Sequence, residues 1–282
     1  MNDGGEVFLT DTEENKNTTV LLVHGTGSWW GIWEETVNEL KAKNYRVITI
    51  DLPPFGYSTK YIWSENYTRE KQAQRIKQVI ENLHLKNVVL VAHSIGARSA
   101  VELVMSDRPD SIALLILVDP ALGLSYVWEF EQNNPNPLVK EIFWVPILRH
   151  LITTSILTNT FFTKKIFSGF VHNPDSISEE NLAIIQKPYN LHWYSQGSAD
   201  WIFSMFFTPD VSISTDFSKY KTIILPVCMI WGDLDTVTPL SQAHTLLWLI
   251  PRSTLWIVQG VGHIPYIENV DSFHLALDNC LK

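Results

Sequence analysis

Six segments of the chain are apolar on consecutive positions for about the length of a strand. They are TTVLLVHG (18–25), YRVITIDLP (45–53), NVVLVAHS (87–94), SIALLILVDP (111–120), TIILPVCMIWG (222–232) and STLWIVQG (253–260), with a short EVFLT (6–10) ahead of them. Strands that alternate apolar and polar residues bury one face; most of these bury both, as in a parallel sheet covered on each side. The intervals between them carry the other periodicity. Trp33, Val37 and Leu40, then Ala73, Ile76, Ile80 and Leu83, then Ala97, Val101 and Val104 recur at three and four, so each set lines one stripe of a helix. Strand and helix therefore alternate, which predicts an α/β fold with a doubly wound, mostly parallel sheet.

One interval breaks that rhythm. Between Asp119 and Thr222 about a hundred residues pass without a buried strand, rich in Trp, Phe, Pro and polar turns, and a structureless loop of that size inside a domain is improbable. The expectation is a mostly helical cap over 121–221, inserted into a core made of 1–120 and 222–282.

Composition narrows the chemistry. With 282 residues the chain can hold one sizeable core plus an excursion. Its formal net charge of -9, with no Lys/Arg-dense stripe, would repel a phosphate backbone, so nucleic acid is not expected as a partner. Two cysteines, Cys228 in an apolar run and Cys280 near the end, make neither a disulfide framework nor a metal spacing. The sequons at Asn17 and Asn66 carry no weight without a secretory signal, and no run reaches the ~18 apolar residues of a membrane span. The chain as given reads as soluble and cytoplasmic, a trimmed anchored or exported protein being the alternative; its oligomeric state is not legible.

At Ser94 a hydroxyl sits between the strand VVLVAH and a helical stretch, with small residues at Ala92 and Gly96. Ligands of parallel sheets bind at such strand ends, and a sharp turn there would push the hydroxyl into the open. Three further stretches follow other strands: HGTG (His24 to Gly27), WGDLDTVTP (Trp231 to Pro239) and GVGHIPYIEN (Gly260 to Asn269). Together these resemble the α/β-hydrolase superfamily over about 18–119 and 223–281. Ala92 stands where the usual G-x-S-x-G elbow has its first glycine, and Pro54 in DLPPFGYS stands where relatives usually carry Gly.

The resemblance implies a Ser94 nucleophile, a His263 general base and an Asp235 that orients it, in the chain order Ser, Asp, His. Asp233 and Asp119 are rivals for the acid. It also implies an oxyanion hole from the backbone N–H groups of Thr26 and Ile95, supported by His24, Gly25, Gly27, His93 and Gly96. Such a site performs acyl transfer without a metal or organic cofactor. The pattern is similar to lid-bearing carboxylesterases and monoacylglycerol-lipase-like hydrolases, which implies small apolar esters as substrates. It also resembles hydrolases that cleave carbon–carbon bonds of ring-fission products, for which Arg98 is a candidate carboxylate partner, and the fold also includes slow or non-catalytic ligand receptors. The cap stretch from Phe143 to Val171 mixes large apolar residues with Arg149, Lys164 and Lys165 and has no acid, so it is expected either to touch a lipid surface weakly or to pack inward and leave its lysines in water.

Overall fold

A computed structural model describes residues 4–13, 17–61, 63–107, 109–124 and 137–282. The six apolar runs all form strands, β2 (Thr19–Val23), β3 (Arg46–Ile50), β4 (Val88–His93), β5 (Ile112–Val118), β6 (Val227–Gly232) and β7 (Ser253–Val258), and Leu9–Asp11 supplies β1. Their order in the sheet is β1-β3-β2-β4-β5-β6-β7; β1 is antiparallel to β3 and every other pair is parallel. β2, β4 and β6 are buried at every residue, which is why their sequences have no polar face.

β7 departs from that pattern. It is an edge strand, and although STLWIV is largely apolar, Trp256 and Ile257 stay exposed because, among the described residues, no further strand pairs with it on that side. β6 also starts later than the apolar run suggests, at Val227, directly after Pro226, whose ring nitrogen cannot donate to a ladder.

Helices α1 (Glu34–Ala42), α2 (Arg69–Asn82) and α3 (Ile95–Ser106) alternate with the first strands, and α9 (Ser241–Leu249), α10 (Pro265–Glu268) and α11 (Val270–Leu281) with the last. One apolar layer, around Leu21, Ile48, Leu90, Ala100 and Met229, lies between the sheet and α2, α3 and α9. The other, around Val20, Trp33, Val91, Ile230 and Phe273, lies between the sheet and α1 and α11.

Between β5 and β6 the described residues are helical: α4 (Pro137–Trp144), α5 (Pro146–Leu157), α6 (Thr160–Ser168), α7 (Glu179–Gln186) and α8 (Tyr194–Phe207), linked by short 3-10 turns. Residues 125–136 of the expected cap lie outside the described residues. The inserted helices are tied to the core by side chains. Trp29 Nε1 donates to the Ile184 carbonyl at 2.7 Å, and Tyr189 Oη donates to the Gly27 carbonyl at 2.9 Å.

The two cysteines correct the expectation that they make no disulfide framework. Cys228 on β6 and Cys280 on α11 form a disulfide with a Cα–Cα distance of 5.7 Å. Spacing along the chain could not show this, because the pair meets only when α11 packs back on β6.

Candidate active site

Ser94, Asp235 and His263 each lie past the carboxyl end of a parallel strand. Ser94 joins β4 to α3 with φ 51° and ψ −118°, a conformation that L residues avoid and that costs of order 1–3 kcal/mol. Surrounding hydrogen bonds hold it there: Ser94 N donates to the Val118 carbonyl at 3.0 Å, while the Ser94 carbonyl accepts from Ala97 N and Ala121 N, each at 3.1 Å.

The turn also needs a glycine on each side of a close approach. A Cβ on Gly96 would lie 2.4 Å from the His24 carbonyl oxygen, and one on Gly25 would lie 2.4 Å from His93 Nδ1 and 3.1 Å from Ser94 Cβ. The HGTG loop therefore rests directly against the elbow. Ile95 opens α3, where a helix leaves its first amides without intrahelical acceptors, and Thr26 follows Gly25 on the facing loop. Gly27 turns the loop away with φ 65°.

Ser94, His263 and Asp235 meet in one line. His263 Nε2 lies 2.7 Å from Ser94 Oγ, and Nδ1 lies 2.7 Å from Asp235 Oδ2. The carboxylate is the acceptor at Nδ1, so that nitrogen carries the proton and Nε2 is left to accept from the serine hydroxyl. All three residues are buried. Asp235 is held by more than the imidazole: Oδ1 accepts from Val237 N at 2.7 Å and Thr238 N at 3.0 Å, and Oδ2 accepts from Thr238 Oγ1 at 2.6 Å. Burial alone would push its pKa up, but the bonds from His263 and Thr238 hold it below the ordinary value.

The rivals for the acid have other positions. Asp233 Oδ1 accepts from Gly260 N at 2.6 Å and so ties the loop after β6 to the loop after β7. Asp119 is wholly buried with φ 40°; its Oδ1 accepts from Gly232 N at 2.8 Å, while its Oδ2 makes no hydrogen bond. One oxygen of Asp119, one of Asp235 and a ring nitrogen of His263 lie within 4.8 Å of one another. Burial, and then the neighbouring Asp235 charge, drives the Asp119 carboxyl well above its usual range, which favours the neutral acid. The three groups could each offer a ligand atom to a cation, but Asp235 and His263 already spend theirs on each other.

His24 and His93 are wedges beneath the site. Leu52 N donates to His24 Nε2 at 2.9 Å, so Nδ1 carries the proton and bonds the Gly25 carbonyl at 2.8 Å. His93 Nε2 bonds the His263 carbonyl at 2.8 Å, and Nδ1 accepts from Tyr266 Oη at 3.0 Å. Both rings are neutral, because burial lowers the pKa of His24 to about 4 and that of His93 to about 3. Of the remaining histidines, His274 bonds Thr36 and His150 bonds Asp200, away from this line.

Arg98 does not offer an open guanidinium. Its Nη2 lies 2.7 Å from Asp210 Oδ2, the same oxygen that Arg69 Nη2 reaches at 2.8 Å. These groups form the polar end of a cavity of about 110 Å³ that begins beside Ile95 and has an apolar flank of Leu52, Phe55, Trp201 and Met205.

Sequence reasoning passed over three supports of the site. Thr238 orients Asp235, and Tyr266 fixes the tautomer of His93. Glu268 accepts from Gly262 N at 2.7 Å and from His172 N at 2.7 Å, clamping the His263 loop to the insertion. The only local signal was the position of Tyr266 and Glu268, three and five residues past His263.

Residues 18–143 match the family model described as alpha/beta hydrolase fold. The chain is 24% identical over 265 residues to a 2-hydroxy-6-oxononadienedioate/2-hydroxy-6-oxononatrienedioate hydrolase of Dechloromonas aromatica, covering 92% of this chain and 86% of the relative. It is 23% identical to the pimeloyl-[acyl-carrier protein] methyl ester esterase of Aliivibrio salmonicida, covering 95% and 94%. Among solved structures, an esterase from Exiguobacterium antarcticum superposes with a TM-score of 0.79 at 18% identity, over 99% of this chain and 97% of that one. The strand order, the strained serine after β4 and these matches converge on the α/β-hydrolase fold.

Proposed function

We propose that this chain is a serine hydrolase that cleaves carboxylic esters of apolar acyl groups through an acyl-enzyme. The observation that carries the reading is the 2.7 Å contact between Ser94 Oγ and a His263 nitrogen that is free to accept its proton. Ser94 Oγ attacks the ester carbonyl carbon while His263 Nε2 takes the hydroxyl proton. The tetrahedral oxyanion forms between the amides of Thr26 and Ile95, each such donor being worth roughly 3–4 kcal/mol of barrier. His263 then passes its proton to the departing alkoxide, and water, deprotonated by the same ring, releases the acid.

The helical insertion serves as a lid. Its Phe170 packs on the ring of His263 and accepts from His263 N at 2.8 Å, and its helix α8 supplies Trp201 and Met205 to the cavity beside Ile95. A dry apolar cavity of ~150 Å³ accepts a benzene-sized guest, so about 110 Å³ suits a short acyl chain.

A second reading, carbon–carbon bond hydrolysis, is favoured by the names of several relatives. Against it, Arg98 and Arg69 are both engaged by Asp210, so neither is available to a substrate carboxylate without breaking that contact. Labelling by a fluorophosphonate probe, abolished in Ser94→Ala, tests the serine hydrolase; a folded wild-type protein that resists the probe would overturn it and leave a ligand receptor. Turnover of short p-nitrophenyl esters against a vinylogous diketone separates the two hydrolase readings.

A further inference from the structure

Helices of a soluble core turn their apolar stripe inward, because burial of apolar area is what holds them in place. Two helices of the insertion do the reverse. α5 buries Arg149 and Thr153, while Ile147 (66% exposed), Leu148, Leu151 (59%) and Ile152 face solvent. Its inward attachment is polar: Arg149 Nη2 and Nε reach Asp200 Oδ1 on α8 at 2.6 and 2.8 Å. α6 buries Thr163 and Phe167 and exposes Phe161 (69%), Phe162 and Ile166. Trp144, at the end of α4, is exposed beside them. Contiguous apolar surface on this scale marks an interaction site.

Charge says what kind of partner fits. The chain holds 30 acidic residues, yet none lies between Glu141 and Asp175. The exposed face instead carries Lys165 and, bonded to the exposed Glu179 at 2.8 Å, Lys164. A second copy would bring the same acid-free stretch and supply no new counter-charge for Lys165. A layer of anionic headgroups over acyl chains would meet both the apolar side chains and the lysines.

We propose that the outward faces of α5 and α6 dock on a lipid bilayer that carries anionic headgroups. The helices lie in the plane of the interface, with Ile147, Leu151 and Phe161 among the acyl chains and the lysines at headgroup level. No helix among the described residues is long and apolar enough to cross a membrane, so the contact is peripheral. α5 packs on α8, whose other residues line the cavity beside Ile95, so the docked face stands one helix layer from that cavity.

The test is flotation of the full chain with vesicles of phosphatidylcholine alone and of phosphatidylcholine mixed with phosphatidylglycerol. Each lysine near an anionic surface contributes about fivefold, and with Lys164 partly engaged by Glu179 the expected preference for the anionic vesicles is roughly five- to thirtyfold. The double substitution Leu151→Glu/Phe161→Glu should lower the bound fraction at least about tenfold, with hydrolysis of a short soluble ester unchanged as proof of folding. Lys164→Gln/Lys165→Gln should remove the anionic preference. The proposal is overturned if wild-type protein fails to float with anionic vesicles at low salt, or if the glutamate variant floats as well as wild type. It is equally overturned if the wild type forms a dimer that the glutamates dissolve while neither binds vesicles, since the face would then belong to a second copy.

Discussion

Replacing Asp235 by Asn is the sharpest probe of the candidate site, because the substitution keeps the shape and changes the direction of one hydrogen bond. Asp235 Oδ1 accepts from two backbone amides, at 2.7 and 3.0 Å, so in the variant the amide oxygen keeps that place and the NH2 group takes the place of Oδ2. That NH2 faces His263 Nδ1 across 2.7 Å. Two donors cannot share the contact, so the ring must move its proton to Nε2, where it points at Ser94 Oγ and can no longer accept from it. The expected fall in kcat is about ten-thousandfold, equivalent to about 5.5 kcal/mol of barrier. Besides Thr238 Oγ1, which lies 3.3 Å from His263 Nδ1, Asp119 is the described group close enough to blunt the loss. One of its oxygens lies within 4.8 Å of a His263 ring nitrogen, but it makes no hydrogen bond to the ring, and moving to make one works against the 2.8 Å bond that holds Oδ1 to Gly232 N. Steady-state kinetics on a p-nitrophenyl ester, with circular dichroism to verify folding, should therefore show Asp119→Asn near wild type and the double variant no worse than Asp235→Asn. If Asp235→Asn keeps more than about a hundredth of the activity and the double variant loses it, Asp119 carries the role assigned here to Asp235, and the reasoning fails.

Three further outcomes follow from the same geometry. His24 and His93 stay neutral in the folded protein down to about 4 and about 3, whereas unfolded histidine protonates near 6.5; below that pH the unfolded chain binds more protons, so their stabilisation is complete above pH 6.5 and is lost as pH falls. Asp51, raised by burial to about 6, and Asp119, raised well above its ordinary value, work in the opposite sense, so between pH 6 and 4 the protons these carboxyls hold in the folded state offset those the two unfolded histidines gain. Removing His93 takes one of those protons away, so urea titrations across that range should give His93→Gln a slope of stability with pH about 1.4 kcal/mol per pH unit lower than wild type; an equal slope in the two proteins would refute the assignment. In Gly96→Ala, the new methyl meets the His24 carbonyl at 2.4 Å and must push the elbow off the HGTG loop, costing about 1–3 kcal/mol of stability and about a hundredfold in kcat; calorimetry and kinetics that match wild type would contradict the packing. Cys280→Ser opens a closure that spans 52 positions and should lower unfolding free energy by about 4 kcal/mol, and thiol titration of denatured, unreduced wild-type protein should find no free cysteine; two free thiols would remove this effect.

Much of the scaffold could be read from local pattern. A strand that must bury both faces admits hardly any polar residue, so β2, β4 and β6 announce themselves, and their carboxyl ends mark where ligands meet a parallel sheet. The junction at Ser94 is equally local, because the small residues that permit the turn, Ala92 and Gly96, lie within two positions of it. β7 was less legible: apolar composition does not tell an edge strand from a central one, since the difference is whether something lies alongside.

What the chain by itself determined was therefore the alternation of strands and helices, the strained serine and the loops that carry a histidine and a carboxylate. What the tertiary structure decided was everything that depends on which strands become neighbours. Placing β6 beside β5 sets Asp119 next to Asp235, packing α11 on β6 brings Cys280 to Cys228, and docking α8 over the sheet engages Arg149 with Asp200 and leaves the apolar side of α5 outward. Local sequence specifies backbone shape because its interactions span a few residues. These contacts join positions from about fifty to more than a hundred residues apart, and only the folded path of the chain, with the loop entropy it has already surrendered, can bring them together.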